Sequence, residues 1–358
     1  MKRCAALTLS VILIILSLCS CTPKLSPAAG EIKVTDCRGR EVSVPADPKS
    51  VCALSPFSGP VIVMLGCGDK ITSFTNNAAR SYMLLDICPS LSDAAVVKNS
   101  GTVNVEEIMA RNTDLLVMDS GVYDNEVERA KIEAAGITYV VVDYNTIEDQ
   151  FAAVRVLGET FGQSEKAEKY ISYFRSVIER VDEEALKNKT SVRLYHSVNE
   201  AVRTDSEGSY CAEWIAHTGA ENVSVSGAKL TVEGEKSYTT LEQIYAWNPD
   251  IIICNEAMVD DYILSDSKWK GLDCVINGRV YQIPVGITRW GHPTSFETPL
   301  AMLWLMNLLH PDTFEIDIDS EIKSFYKTFF DYTVSDSLLE AIIDASEMRA
   351  PKTEKGVE

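Results

Sequence analysis

The chain has 358 residues, 46% of them hydrophobic, and its 52 acidic and 33 basic side chains give a formal net charge of −19. That composition supports a large core and argues against disorder over most of the length. An acidic chain with no basic stripe excludes nucleic acid as a partner, because nothing would neutralise the phosphates.

At the N-terminus, Lys2 and Arg3 precede an apolar run from Leu7 to Leu18, followed by Leu18-Cys19-Ser20-Cys21. The run is too short for a permanent span and has the form of a signal h-region, so residues 1–20 are expected to be a leader. The ending is similar to a bacterial lipobox, with Cys21 the lipidated residue and new N-terminus; a plain secretory leader is the alternative. Residues 21–30, rich in Pro, Ala and Ser, read as a tether. The sequence offers no other candidate span, which places the remainder outside the cytoplasm. With Cys4 and Cys19 in the leader and Cys21 lipidated, the remaining thiols are Cys37, Cys52, Cys67, Cys88, Cys211, Cys254 and Cys274. None forms a C-x-x-C pair, and structural thiols are preferred to disulfides.

After the tether, Ile32–Asp36 and Glu41–Pro45 alternate around Arg38-Gly39-Arg40 and read as a small hairpin. Ser50–Leu54 is the first buried strand. A helix from Pro60 to Leu65 and a strand from Ile71 to Phe74 follow, then a polar loop holding Asn76, Asn77, Arg80 and Tyr82. Later come a helix from Glu126 to Ala135, a strand from Thr138 to Val142, and a helix from Ile147 to Phe161. From Ser164 to Leu186 the residues Ala167, Tyr170, Ile171, Phe174, Val177, Ile178, Val181 and Ala185 form an unbroken helical stripe, a rod roughly 35 Å long. Beyond it lie a strand at Ser191–His196, a helix from about Cys211 to Thr218, a strand at Val280–Ile283, and helices at Pro299–Leu309 and Ser320–Phe330.

One unit occurs twice. Residues 104–118 and 240–254 each read as an N-capped helix, an Asn-Thr-Asp or Asn-Pro-Asp break, and a short apolar strand. Asn104 and Thr240 are the caps, and Glu106 and Glu242 fall in the first turns, where the helix dipole favours a carboxylate. Continuous apolar strands after helices point to parallel sheets covered on both faces. The fold class expected is therefore α/β with two lobes on either side of the rod. The expected division is a first lobe at 31–162, a connecting helix at 163–188 and a second lobe at 189–350. No G-x-G-x-x-G, Walker loop, H-E-x-x-H or G-x-S-x-G occurs, and there are four histidines, so neither catalysis nor direct metal binding by several histidines is indicated.

Several stretches in this order carry a resemblance: the Val34-Thr35-Asp36 hairpin with Gly39-Arg40 and Val44-Pro45, Ser50-Val51, the two Glu-x-Ile-x-Ala units, Trp269-Lys270-Gly271-Leu272, Asn277–Pro284, and Trp304-Leu305 through His310-Pro311. The chain resembles the substrate-binding lipoproteins of ABC importers for iron-siderophores, haem, cobalamin and, in some branches, molybdate or tungstate. The resemblance implies two Rossmann-like lobes joined by one long helix, the class III periplasmic-binding-protein fold. It also implies a membrane-anchored monomer that is not an enzyme, has no intrinsic cofactor, and works with an ABC permease and its ATPase. Glu106 and Glu242 match the glutamates that dock on the permease. A metal chelate, iron-siderophore or haem first, is the expected ligand; cobalamin, molybdate or tungstate, and a signalling or adhesion lipoprotein on the same fold, are the alternatives. The cleft side chains expected are Phe57, Asn76, Arg80, Tyr82 and Tyr123 from the first lobe, and Tyr195, His196, Asn255, Arg289, Trp290 and His292 from the second, with Arg203 a weaker candidate.

Overall fold

The computed structural model describes residues 30–99, 101–187, 191–226, 230–234, 236–314 and 316–351. The leader, Cys21 and nearly all of the tether lie outside the described residues. Among the described residues no helix is long and apolar enough to cross a membrane.

The chain forms two α/β lobes. In the first, the strands lie in the order Thr102–Val103, Ala95–Asn99, Ile71–Thr75, Val51–Ala53, Leu115–Met118, Tyr139–Val141. Neighbours are parallel apart from the Thr102–Val103 edge. The order runs one way from Val51–Ala53 to Ala95–Asn99 and the other way through Leu115–Met118, so the topological switch lies between Val51–Ala53 and Leu115–Met118. In open α/β sheets such a switch opens a crevice at the carboxyl ends of the strands. The second lobe holds a parallel sheet in the order Glu221–Asn222, Arg193–Ser197, Ile251–Cys254, Val280–Gln282. The sequence pattern did not show a small antiparallel sheet of Arg203–Thr204, Lys236–Tyr238 and Thr231–Glu233 beside it.

The two copies of the repeated unit fold alike in detail. Asn104 accepts from the Glu107 N–H and Thr240 from the Gln243 N–H, capping the helices Val105–Ala110 and Leu241–Trp247. Each helix ends at an asparagine in the left-handed region, Asn112 at φ 52° and Asn248 at φ 43°, a conformation asparagine tolerates better than most side chains. The aspartate two residues later then ties the following strand to its central neighbour. Asp114 takes the Lys49 and Ser50 N–H groups at 2.8 and 3.2 Å and returns its own N–H to the Ser50 carbonyl at 3.0 Å. Asp250 takes the Arg193 N–H at 2.8 Å and donates to the Arg193 carbonyl at 2.7 Å.

The rod is the helix Ser164–Ala185, about 33 Å long at 1.5 Å per residue. Its buried stripe, Ala167, Tyr170, Ile171, Phe174, Val177 and Val181, packs against Ile147–Thr160 on one side and Thr298–Leu309 and Tyr210–His217 on the other. The Tyr170 hydroxyl donates to the Phe296 carbonyl. The expected polar loop after Ile71–Thr75 is instead helical, at Asn76–Ala79 and Tyr82–Ile87, because Thr75 and Ser81 each cap a new turn. This region also meets the end of the chain: Tyr82 N–H donates to the Met348 carbonyl and Ala350 N–H to the Arg80 carbonyl. The C-terminal segment thus straps the second lobe to the first. All seven described cysteines are free thiols.

The repeated aspartates yield a stability prediction. Asp114→Ala loses two charge-assisted hydrogen bonds and should lower the unfolding free energy by about 2 kcal/mol, against about 1 kcal/mol for Asp250→Ala. Urea denaturation of the two variants measures the difference; equal effects, or none, would deny the carboxylates this role.

Candidate functional site

A cleft of about 510 Å³ opens between the lobes. Its first-lobe wall consists of Ser55–Phe57, Lys98, Asp119–Gly121 and Val142–Asn145, each at or near the carboxyl end of a strand, and it brackets the topological switch. The second-lobe wall is formed by Asn199, Arg203, Ser209, Tyr210 and the loop His292–Thr294. Phe57, Tyr144 and Tyr210 make an aromatic ladder across the two walls, with edge-on ring centroids 4.8 and 5.4 Å apart.

The polar groups divide into those already engaged and those still open. Asp119 caps the turn Ser120–Tyr123 by accepting the Val122 N–H at 3.0 Å, and both of its oxygens take the Lys98 ammonium at 3.1 and 3.2 Å. The same ammonium donates to the Leu54 carbonyl. Asp143 lies 3.4 Å from Arg38 of the hairpin turn. Lys98 thus neutralises Asp119, whereas Asp143 shares Arg38 with Asp124, which lies closer at 2.7 Å. Among the described residues the Arg203 guanidinium carries no hydrogen bond or salt bridge of its own.

His292 contributes a second open donor. The Thr294 N–H donates to its Nδ1 at 3.2 Å. Burial, then the Arg289, Arg203 and Arg349 guanidiniums, hold its imidazole well below the usual value, so it is neutral. A neutral ring whose Nδ1 accepts must carry its hydrogen on Nε2. Behind these groups, guanidiniums from both lobes converge. Arg289 binds Glu256 and the Asn199 side-chain oxygen, and Asn199 is held at φ 67° with its N–H on Asn255. Arg349 donates to Asn77, and Arg80 to the Ala350 carbonyl at 2.7 Å. Burial, then the charges of Arg289 and Arg80, push Arg349 down to about 10. Burial also lowers Arg289, offset by Glu256 and reinforced by Arg80 and Arg203.

Of the side chains expected in the cleft, Phe57 and His292 line it, as does the weaker candidate Arg203. Several others are corrected. Tyr195 is fully buried, with its ring against Trp247 and its hydroxyl on the Ala201 carbonyl. His196 is also fully buried, bonded through Nδ1 to Asp205 at 2.9 Å. Both sit on the second strand of a parallel sheet covered on both faces, where alternate side chains all enter core. Trp290 is a core residue too, not a stacking platform. Tyr123 faces away, within 5.5 Å of the Arg38, Arg40 and Arg129 guanidiniums. Tyr82 is half exposed, at a separate groove with Asp86 and Tyr332. Arg80, Arg289 and Asn255 buttress the cleft from behind, and Asn76 starts the short helix Asn76–Ala79 away from the lining. Ser55, Lys98, Asp119, Ser120, Asp143, Tyr144, Asn199, Ser209 and Tyr210 were missed. The sequence did carry a signal for the first-lobe set, since all but Lys98, which lies within the strand Ala95–Asn99, follow an apolar strand within a few residues.

A periplasmic binding protein family model matches residues 51–285. The chain belongs to that family. The molybdate-binding protein MolA of Haemophilus influenzae is 22% identical, over 83% of this chain and 90% of that protein. Its molybdate-bound structure covers 85% of this chain and 99% of its own at a TM-score of 0.72. An ABC transporter substrate-binding lipoprotein of Bacillus subtilis, YvrC, is 23% identical over 79% of this chain and 87% of its own length. A periplasmic solute binding protein from Veillonella parvula is 28% identical, with a TM-score of 0.75 over 89% of this chain and 98% of that one. This is an extracytoplasmic binding protein of the ABC-transporter type and not an enzyme, and a solute in its cleft is cargo.

The neutral state of His292 has a consequence for stability. The unfolded imidazole takes up a proton near pH 6.5, whereas the folded one does so only well below that. The unfolded chain therefore binds more protons as pH falls, and this contribution is fully present above about pH 6.5 and is lost toward the folded value. His292→Gln should flatten the loss of stability between about pH 7 and about pH 5, by at most about 1.4 kcal/mol per pH unit. His310, also lowered by burial, leaves some slope in the variant. Thermal melts across that range test this; an unchanged slope would show that His292 already protonates normally.

Proposed function

We propose that the protein is a lipid-anchored solute-binding component of an ABC importer, held through Cys21, that captures an anionic, oxygen-rich solute in the interlobe cleft. The observation that carries this reading is the sign of the open valences. Asp119 is paired with Lys98 and Asp143 shares Arg38 with Asp124, while the Arg203 guanidinium and His292 Nε2–H remain as donors backed by further guanidiniums. Donors around a desolvated pocket select carboxylate, phosphate-like or metal oxyanion oxygens.

Within that class, molybdate or tungstate is favoured by the two open donors and by likeness to a molybdate-binding protein over most of both chains. An anionic iron chelate is the second reading. It is supported by a cleft of about 510 Å³ with an aromatic wall, larger than a four-oxygen anion needs. Calorimetric titration with molybdate, tungstate, sulfate and a ferric catecholate chelate separates the two. Arg203→Gln should weaken the preferred anion about 10- to 100-fold, the value of one charge-assisted hydrogen bond. Failure of every anion to bind would end this reading.

Delivery would use Glu106 and Glu242, both exposed in the first turns of the repeated helices. Reversing both to Lys should abolish uptake in cells while leaving solute affinity unchanged. Transport that survives the double reversal would remove the docking assignment and leave the cleft assignment intact.

A further inference from the structure

Beneath the second-lobe wall of the cleft lies a cluster that solute binding does not use. One ring nitrogen of His196, a carboxylate oxygen of Asp205 and the Sγ of Cys211 all lie within 4.8 Å of one another. Three separate elements supply them: His196 is on the strand Arg193–Ser197, Asp205 follows the strand Arg203–Thr204, and Cys211 is in the first turn of Tyr210–His217. Their relative exposures are 0, 4 and 1%, so solvent does not compete for them. The nitrogen, oxygen and sulfur donors match the ligand types of Zn²⁺, and three protein donors leave the fourth position of its tetrahedron to a further ligand.

His196 Nδ1 lies 2.9 Å from the Asp205 carboxylate, so it is the ring nitrogen that faces the cluster, and Cys211 Sγ lies 3.2 Å from the Gly291 carbonyl. The surrounding contacts hold the cluster in register. Asn222 Nδ2 donates to Asp205 at 2.8 Å, the Ser224 hydroxyl donates to the Asp205 carbonyl at 3.0 Å, and Thr204 Oγ1 donates to the His196 carbonyl at 2.8 Å. The Asn222 contact orients the Asp205 carboxylate itself, and the other two fix the main chain that carries His196 and Asp205.

We propose that His196, Asp205 and Cys211 form a resident structural site for a borderline-soft divalent cation, best suited to Zn²⁺. The ion bonds to His196 Nδ1, one Asp205 oxygen and the sulfur; the thiol proton leaves to solvent on binding and the ring hydrogen sits on Nε2. Its role is to tie the strand Arg193–Ser197, the strand Arg203–Thr204 and the helix Tyr210–His217 together under Arg203. Burial marks it as resident and not as cargo. This departs from the expectation, drawn from the few histidines, that no metal is held directly.

Cobalt tests it on the purified full chain, after chelator treatment and refolding with Co²⁺. One equivalent should give a sulfur-to-cobalt charge-transfer band in the near ultraviolet and intense visible bands of low coordination, both bleached by Zn²⁺. Cys211→Ala should lose the near-ultraviolet band while Cys254→Ala, a buried thiol on the adjacent strand, keeps it. No band in the parent, or a band that persists in Cys211→Ala, overturns the site. Should Cys211→Ala not fold, X-ray absorption at the zinc edge of the parent decides: one sulfur among nitrogen and oxygen neighbours supports the site, and a shell without sulfur overturns it. These signals report the metal and not the solute, so a protein that binds anions yet shows no thiolate band loses only this inference.

Discussion

The structure depends on one buried stripe. Ala167, Tyr170, Ile171, Phe174, Val177 and Val181 of the connecting helix belong to a core that continues into both lobes, from Val34 and Phe151 on one side to Trp214, Leu303 and Phe325 on the other. Separating the lobes would expose apolar surface along the whole rod, at a cost of about 25 cal/mol per Å². Arg349 and Ala350, bonded to Asn77 and Arg80, close the same joint from the far side. Large hinge closure is therefore disfavoured, and the cleft is preformed. A preformed cleft loses less ordering entropy on binding.

A stiff frame makes the electrostatics of the cleft matter more. The chain is strongly acidic as a whole, with a net charge of −19. Even so, Arg80, Arg203, Arg289 and Arg349 gather at one end of the cleft, close enough to depress two of their own number. Only a rigid scaffold keeps like charges together at that separation, since repulsion would splay flexible loops. Low-dielectric walls then focus that field on a solute, whereas the acidic exterior lies beyond the local screening length.

The side chains picked from sequence for the second lobe show where residue chemistry misleads. Tyr195, His196 and Trp290 were chosen because phenol, imidazole and indole groups suit a chelate. For Tyr195 and His196 position in the sheet overrides chemistry, since a strand with helices on both faces buries successive side chains alike, and Trp290 is buried in a turn packed against the core. Their polar atoms are therefore satisfied locally, as Tyr195 is by Ala201, or left without a partner, as His196 Nε2 is. Conversely, Ser55 and Asp119 carry no distinctive motif and become part of the cleft because the strands before them end at the switch in strand order, and Asp143 joins them from the end of the neighbouring edge strand.

By itself, the sequence determined what depends on near neighbours. Helical periodicity set the rod, capping residues set where the repeated helices begin, and asparagine followed two residues later by aspartate set where they end and how the next strand is anchored. Those choices, made twice, were enough to read a two-lobed α/β chain. Only the tertiary structure decided which polar groups meet: Lys98 with Asp119, Arg289 with Glu256, Arg349 with Asn77, and His196 with Asp205 and Cys211. These partners lie on different elements, and their distances follow from how two sheets pack on one helix, which no local pattern encodes.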